Sequence, residues 1–309
     1  MTTETQTIPF DSTMRHLAMS LLETDPLHIG EWQSKNVSTV PQYSTHEIID
    51  VTLRLNIPPS IKTFADSLYP FVNLAWADEH FLERVGGQPL NPPPSHVRWP
   101  WNRHNADHQD GTAQFSHTYP ERMWPKHAGD IDCHNGYVVS GPSDIMPVDK
   151  YGQADDGRQV CNGRSGIRFE YGDLDDVVNL LIRNPFTRQA YLPIWFPEDT
   201  GAGHDHRVPC TLGYHFMIRN GQMSCRYYMR SCDLIRHFAD DVYLAGLLLQ
   251  WVLDRVNTRL CQGYDKTDWV CEHEHIEPGE LVMYIASLHA FVGDRYKLEA
   301  IASNKLGEL

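Results

Sequence analysis

The sequence contains no stretch approaching 18 consecutive apolar residues, the approximate minimum for a membrane-spanning helix. Its first 20 residues also lack the basic segment and apolar run of a secretory signal peptide. With 309 residues and 41% hydrophobic content, the chain can bury a full core. We therefore expect a soluble, cytoplasmic protein that folds as one domain.

Paired cysteine spacing is absent as well. The seven cysteines are an odd number without a disulfide-like pattern, which indicates a reducing compartment. An excess of positive charge is also missing, because the formal net charge is -14. Such a chain repels the phosphate backbone of nucleic acids, so no direct nucleic-acid partner is expected. A phosphate-bearing ligand must instead be held by local arginines.

Recognisable metal-binding motifs are lacking too. The segments GHDHR at 203–207 and CEHEH at 271–275 make a metalloprotein conceivable. Neither segment has the HExxH spacing or the paired CxxC pattern of a zinc site. Because the chain has 17 histidines, chance clusters of this kind are expected. The sequence therefore predicts no metal site.

Hydrophobic periodicity predicts an α+β domain. Helical patterns occupy 11–24, 173–185 and 240–256, and strand patterns occupy 46–58, 189–196 and 279–291. Two apolar runs between 211 and 230 flank Asn220 and Gly221, a strong hairpin signal. We expect a mixed or mainly antiparallel sheet covered by helices. Residues 86–165 are rich in Gly and Pro and then aperiodic, which predicts a long loop insertion.

Cys210 is a candidate nucleophile. It follows Pro209 at the start of a predicted strand, and Arg207 and Arg230 could supply the positive field that favours a thiolate. A single cysteine is more often a small packing residue. Cys225 lacks such a setting and is expected to be structural, as is Cys232.

Four motifs then carry a family resemblance. They are PC at 209–210, RSCD at 230–233, IEPGEL at 276–281 and SLHAF at 287–291. Over roughly residues 170–295 they resemble the pyrimidine-binding core of the thymidylate synthase superfamily. The resemblance implies a thymidylate synthase-like fold that dimerises through a sheet face, with 5,10-methylenetetrahydrofolate as cofactor.

Three departures from the family pattern concern the base. Thymidylate synthases have histidine, glutamine and asparagine where this chain has Thr211, Met229 and Asp241. All three changes are similar to the phage deoxycytidylate hydroxymethylases. A carboxyl group at 241 can accept from the amino group of cytosine, whereas an asparagine amide suits uracil. The alternative is that Asp241 satisfies helix N–H groups, although the neighbouring Asp240 could do that alone.

The resemblance also implies substrate-binding roles. Arg188, Arg230 and Ser231 correspond to phosphate ligands, and Arg188 would reach the partner subunit's site in a homodimer. The family commonly has a second arginine where this chain has Gln189. His289 would hold the sugar hydroxyl, close to a position where the family often has tyrosine and this chain has Phe291.

Cofactor and proton-transfer roles follow in the same way. Asp233 resembles the aspartate that contacts the pterin ring. Glu79 is favoured as general acid/base, because the 22 residues from it to Trp101 suit the family's glutamate-to-tryptophan interval. Trp101 would then line the cofactor site. Glu83 is the competing base, and Tyr119 would lie near the C5 proton.

The implied activity is conversion of dCMP to 5-hydroxymethyl-dCMP through a covalent adduct between Cys210 and C6. Methylation of dCMP, or a reaction on dUMP, are the alternatives. An inactive nucleotide-binding regulatory paralogue is a further alternative, because the arginine pair is incomplete. The similarity to phage enzymes extends the expected location to the cytoplasm of an infected bacterium.

Overall fold

A computed structural model describes residues 9–28, 30–32, 35–99, 115, 117–125, 131–132, 137–138, 172–200, 208–262 and 275–305. The chain divides into two compact units. The first unit comprises residues 1–74, 219–253 and 275–309. The second unit comprises residues 75–218 and 254–274. The single domain and its insertion at 86–165 stay predictions.

Helices and strands are interspersed along the described parts of the chain. The helices are α1 (Phe10–Leu22), α2 (Ile61–Leu68), α3 (Leu74–Val85), α4 (Tyr119–Met123), α5 (Leu174–Arg183), α6 (Phe238–Gln262) and α7 (Arg295–Ala302). The strands are β1 (Glu31–Trp32), β2 (Lys35–Asn36), β3 (Thr45–Asn56), β4 (Ile131–Asp132), β5 (Tyr137–Val138), β6 (Tyr191–Pro193), β7 (Thr211–Arg219), β8 (Gln222–Met229), β9 (Cys232–Asp233) and β10 (Glu277–Phe291). None of the helices in the described ranges is long and apolar enough to cross a membrane.

The first unit is built on β10. This strand pairs antiparallel with β3 and parallel with β8, and β9 pairs with it in parallel beyond the end of β8. Because β10 has neighbours running in both directions, the sheet is mixed, and helices flank it. The predicted α+β class is therefore confirmed.

Close packing in the first unit is set by α6, which is buried over most of its length. Gly246 lies so close to α2 that an added Cβ would come within 2.2 Å of the Phe64 ring. Real Cβ atoms do not approach carbon this closely, so a larger residue would force the helices apart. The predicted helix at 240–256 is thus confirmed as a core element.

The turn between β7 and β8 has the conformation that its sequence predicts. Asn220 and Gly221 have φ angles of 52° and 71°, both in the left-handed region. Two consecutive residues of this kind form the tight turn whose twist matches a hairpin, and Asn-Gly is its preferred sequence. The predicted turn is confirmed.

The second unit contains the antiparallel pair β6 and β7 and the helix α5. Asp173 and Asp176 form a reciprocal capping box at the start of α5, within the helix predicted at 173–185. The strand predicted at 189–196 is shorter than expected and ends at Pro193. The amides of Ile194 and Trp195 both donate to the carbonyl of Leu212, so regular pairing stops there.

The predicted loop insertion at 86–165 includes regular structure. Thr118 and Glu121 form a capping box that begins α4, with Pro120 in its first turn. The strands β4 and β5 pair antiparallel. The predicted loop insertion thus contains short helical and strand elements, because local capping suffices to start a helical turn.

Candidate active site

Cys210 lies immediately before β7 in the second unit and is half-buried. The following residue, Thr211, is fully buried at the first position of the strand. Its hydroxyl group is 2.9 Å from the hydroxyl oxygen of Tyr119, within hydrogen-bond distance. The structure therefore brings Tyr119 to the residue beside the predicted nucleophile.

Tyr119 is held from a second side by an arginine. The guanidinium carbon of Arg84 lies 4.0 Å from the centroid of the Tyr119 ring. Arg84 is only 4% exposed, and its carbonyl oxygen accepts a 2.8 Å hydrogen bond from the indole of Trp124. Sequence analysis did not identify Arg84, because its contact with Tyr119 joins residues that are far apart in the chain.

The carboxylate of Glu83 is committed to an internal network. It accepts hydrogen bonds from the backbone N–H of Ser95 at 2.6 Å and the hydroxyl of Ser95 at 2.5 Å. His80 Nδ1 is 3.2 Å from the same carboxylate. Burial alone would raise the pKa of Glu83, but the hydrogen bonds from His80 and Ser95 outweigh burial and lower the pKa.

His80 is neutral in this network. Burial, reinforced by the charge of Arg84, lowers the pKa of His80 to about 4 even though Glu83 opposes the change. The His80–Glu83 contact is therefore a hydrogen bond between a neutral ring and a carboxylate, and not an ion pair at neutral pH. The network joins α3 to the 3-10 turn at Pro94–Arg98, which contains Ser95.

Glu79 differs from Glu83 in its environment. Its side chain is 33% exposed, and its Oε2 atom lies 3.2 Å from Nη1 of Arg98. Despite this proximity, Oε2 is buried and has no hydrogen bond of acceptable geometry. The Arg98 side chain is 65% exposed, so the attraction between the charges is weak. Glu79 therefore retains unused acceptor capacity, which favours it over Glu83 as a general base.

The first unit gathers a second group of predicted site residues. The register between β9 and β10 places Asp233 directly opposite His289. One oxygen of Asp233 accepts from the backbone N–H groups of Ile235 and Arg236, at 2.9 and 3.0 Å. The other oxygen, Oδ2, is buried without a hydrogen-bond partner, although Nε of Arg236 lies 3.5 Å away.

Asp233 and His289 titrate under opposing influences. Burial raises the pKa of Asp233, against the charges of His289 and Arg236. Burial lowers the pKa of His289, and the charges of Arg236 and Arg230 lower it further, whereas Asp233 opposes them. Arg230 is thus close enough to act electrostatically on His289. The structure brings together three of the predicted binding residues, Arg230, Asp233 and His289.

Asp241 is the fourth residue of α6 and is half-buried. Its Oδ2 atom accepts a hydrogen bond from the thiol of Cys232, with a sulfur-to-oxygen distance of 3.7 Å. Asp240 points to a different partner, because its Oδ1 atom accepts from the backbone N–H of Asn73 at 2.8 Å. The two adjacent aspartates therefore have separate surroundings.

The remaining predicted residues are placed as follows. Ser231 is half-buried between β8 and β9, and Arg188 is exposed, with its carbonyl oxygen accepting from Nε2 of His215 at 3.0 Å. Trp101 and Arg207 lie outside the described residues, as do the histidine-rich segments except His275. Among the residues that the structure describes, no cluster of His, Cys, Asp or Glu could hold a metal ion.

Comparison with known proteins identifies the family. The model of the family described as thymidylate synthase matches residues 122–276, half of the 309-residue chain. The chain therefore belongs to the thymidylate synthase family. The predicted superfamily is confirmed, whereas the likeness to phage deoxycytidylate hydroxymethylases stays a prediction.

Individual relatives are distant and match only in part. A putative thymidylate synthase of Methanosarcina barkeri is 28% identical over 116 residues, covering 33% of this chain and 52% of the relative. The thymidylate synthase of Rhodopseudomonas palustris is 26% identical over 124 residues, which cover 40% of this chain and 35% of the relative. The thymidylate synthase of Equine herpesvirus 2 is 31% identical over 94 residues, which cover 30% of this chain and 32% of the relative. The chain thus spans about half or less of the length of these relatives.

The family uses 5,10-methylenetetrahydrofolate as its one-carbon donor. The reduced pterin ring of this cofactor carries N–H groups. The buried and unpaired Oδ2 atom of Asp233 is an acceptor of the kind that such a group requires. The described residues therefore fit the cofactor at Asp233.

Proposed function

We propose that this protein is a folate-dependent transferase that converts dCMP to 5-hydroxymethyl-dCMP. The observation that carries the proposal is the carboxyl group of Asp241, which stands where thymidylate synthases have an asparagine amide. It lies half-buried at the start of α6 and is hydrogen-bonded to Cys232, the residue before Asp233. Membership of the thymidylate synthase family supports the reaction class.

Base selection would depend on hydrogen-bond complementarity. Cytosine presents an amino donor beside an unprotonated ring nitrogen, whereas uracil presents a carbonyl beside an N–H. A carboxyl group accepts from the cytosine amino group, but it opposes the carbonyl of uracil acceptor to acceptor. The thiol of Cys232 donates to Oδ2 of Asp241 and so restricts the rotation of the carboxyl group.

The nucleotide's phosphate and sugar would be bound by residues that carry donors. Arg230 and Ser231 supply charge-assisted hydrogen bonds to the phosphate dianion, and Arg188 of the partner subunit adds a third donor. His289, kept neutral by burial, can accept from or donate to the sugar hydroxyl. These local cations are necessary because the chain as a whole carries a formal charge of -14.

The proposed chemistry begins at Cys210, whose thiolate adds to C6 of the pyrimidine and makes C5 nucleophilic. Bound 5,10-methylenetetrahydrofolate supplies the one-carbon unit that C5 attacks. Glu79, acting through water, and Tyr119 would help remove the C5 proton, and tetrahydrofolate would then leave, which gives an exocyclic methylene group at C5. Addition of water to the resulting methylene group gives the hydroxymethyl product, and Cys210 leaves last.

A homodimer is part of the proposal. Tyr228 on β8 and Tyr284 on β10 stack with ring centroids 5.2 Å apart, and Tyr284 is 36% exposed. Aromatic side chains on a sheet face are suited to bury area against a second copy of the chain. Such an enzyme would work in the cytoplasm, including that of an infected bacterial host.

The decisive experiment compares kcat/KM for dCMP and dUMP. An unpaired buried acceptor costs about 1–3 kcal/mol, so the wild-type protein should prefer dCMP by about one to two decades. Asp241→Asn should lower the ratio, because its amide can donate to O4 of uracil. Asp240→Asn is the matched control, since its amide oxygen can still accept from Asn73, and its ratio should not change.

Other results point to other functions. A wild-type preference for dUMP, or an unchanged ratio in Asp241→Asn, contradicts the cytosine assignment. The mass of the product separates hydroxymethylation from methylation. Binding of nucleotide without release of tritium from 5-tritiated dCMP or dUMP would indicate a regulatory paralogue.

A further inference from the structure

Arg84 is a buried cation for which the described part of the chain provides no counter-ion. It lies in the last turn of α3 and is 4% exposed. Its Nε atom is buried without a hydrogen-bond partner. No carboxylate of the described residues lies within ion-pair distance of its guanidinium group. Burial of a charge is costly unless other groups compensate it, so the contacts that Arg84 makes among the described residues are informative.

The position of Arg84 at the C-terminal end of α3 explains only part of why its charge is buried. A positive charge in the last turn interacts favourably with the helix dipole, but an exposed lysine or arginine would serve equally well. Arg84 instead lies under the ring of Tyr119, 4.0 Å from its centroid. A desolvated guanidinium group over an aromatic face is among the stronger cation–π arrangements. The specific contact of Arg84 is therefore Tyr119.

Tyr119 is fixed at two points. Arg84 covers the face of its ring, and its hydroxyl oxygen is 2.9 Å from that of Thr211. Thr211 is fully buried and directly follows Cys210. The phenol oxygen is therefore held one residue from the predicted nucleophile, and the ring cannot rotate without losing contact with Arg84.

We propose that Arg84 is a positioning residue that holds the Tyr119 phenol for proton transfer beside Cys210. The identity of the proton, at C5 of the pyrimidine, rests on the function proposed above. The positioning itself rests on the contacts of Arg84, Tyr119 and Thr211. For the phenol oxygen to accept the C5 proton, its own O–H proton passes to water, and the positive charge over the ring stabilises the negative charge that this loss leaves on the oxygen.

A second arginine in the same unit provides a contrast. Arg122 also stacks on an aromatic ring, with its guanidinium carbon 4.6 Å from the centroid of Phe196. Both of its terminal nitrogens donate to Asp199, so its charge is neutralised within the fold. Phe196 has no titratable group. The charge of Arg84 has no such carboxylate among the described residues and faces the ring of a tyrosine.

The test measures tritium release from 5-tritiated dCMP and dUMP. Arg84→Met keeps the aliphatic stem and removes the charge, and the carbonyl contact with Trp124 persists. We expect kcat to fall by about tenfold to a hundredfold, the scale of a misplaced catalytic group, with the nucleotide KM changed by less than about threefold. Arg84→Lys, which keeps a charge over the ring, should recover part of the loss.

A double-mutant cycle separates positioning from damage to the fold. In a Tyr119→Phe background, Arg84→Met should cost less than about twofold, because the group that it positions is already gone. Arg259→Met is the matched control, since Arg259 contacts Asn179 and Asp175 on α5. An additive cycle, or unchanged kcat in Arg84→Met, overturns the proposal.

A spectroscopic readout keeps this inference separate from the proposed function. The ring resonances of 13C-labelled Tyr119 are assigned by their loss in Tyr119→Phe. Arg84→Met should shift them and accelerate ring flipping, and Arg259→Met should not. If the wild-type protein releases tritium from neither nucleotide, the proposed function fails. The Tyr119 resonances still show whether Arg84 positions the Tyr119 ring. Unchanged Tyr119 resonances in Arg84→Met overturn the inference in either case.

Discussion

Arg122 and Asp199 form a buried, bidentate ion pair. Nη1 and Nη2 of Arg122 lie 2.8 Å from Oδ2 and Oδ1 of Asp199, respectively. The two side chains are only 4% and 2% exposed. The backbone N–H of Phe196 donates to the same carboxylate at 2.8 Å. Because both charges are desolvated, each depends on the other for its hydrogen bonds.

Removal of one partner should therefore destabilise the protein strongly. Arg122→Met leaves the carboxylate of Asp199 buried and unpaired, and we expect a loss of about 3–5 kcal/mol in the free energy of unfolding. Urea denaturation measures this loss. Lys62→Met breaks the exposed pair with Asp66 and should cost less than about 1 kcal/mol. If Arg122→Met lowers the free energy of unfolding as little as Lys62→Met does, the Arg122–Asp199 pair does not have the predicted role in stability.

The buried His80 should make stability depend on pH. Its pKa is about 4 in the folded protein, against 6.5 in an exposed chain. Between these values the unfolded state binds more protons, so stability is complete above about pH 6.5 and falls as the pH drops towards 4. The loss approaches about 3 kcal/mol, at about 1.4 kcal/mol per pKa unit.

His80→Gln should remove this slope between pH 4 and 6.5, because glutamine does not titrate. Urea denaturation at several pH values measures the effect. The exposed His16 provides the control, and His16→Gln should retain the slope. If His80→Gln and the wild-type protein show the same pH dependence, His80 is not the group responsible.

Cys210→Ala tests the nucleophile. Because addition at C6 precedes every later step, tritium release and product formation should fall by about a thousandfold or more. Binding of dCMP, measured by equilibrium dialysis, should persist. Cys261→Ala alters an exposed cysteine of α6 and should leave the rate unchanged. Substantial tritium release by purified Cys210→Ala would place the nucleophile elsewhere.

Mixing two inactive variants tests the assembly. If Arg188 serves the partner subunit's phosphate site, heterodimers of Arg188→Ala and Cys210→Ala contain one intact site each. Free exchange should restore about a quarter of the wild-type sites, because half of the dimers are mixed. Arg183→Ala is the control: Arg183 is an exposed residue of α5, and this variant should stay active by itself. A monomeric solution mass, or no recovery after verified exchange, argues against a shared site.

Sequence patterns predicted the elements whose signals are local. The capping residues Asp173 and Asp176 are three positions apart, and Asn220 and Gly221 are adjacent. Such signals act within one turn of chain, so they do not depend on the rest of the fold. Alternating or continuous apolar patterns likewise identified β3, β10 and α6.

The helix α3 was not predicted, for a physical reason. Its buried face consists of Trp76, Ala77, His80, Phe81 and Arg84, which recur at helical spacing. Two of these five residues are polar, and they weaken the apolar periodicity that a sequence pattern would show. Stacking of Trp76 on His80, with ring centroids 4.8 Å apart, and the contacts of Arg84 help to stabilise this face.

The sequence by itself determined the family motifs, the hairpin and the candidate nucleophile, because these depend on residue order and short spacing. Only the tertiary structure showed that Ser95 engages the carboxylate of Glu83, whereas the interval to Trp101 already favoured Glu79 in the sequence. It alone also placed Arg84 against Tyr119. These contacts join segments that the chain separates, and they arise only when packing removes water from between them.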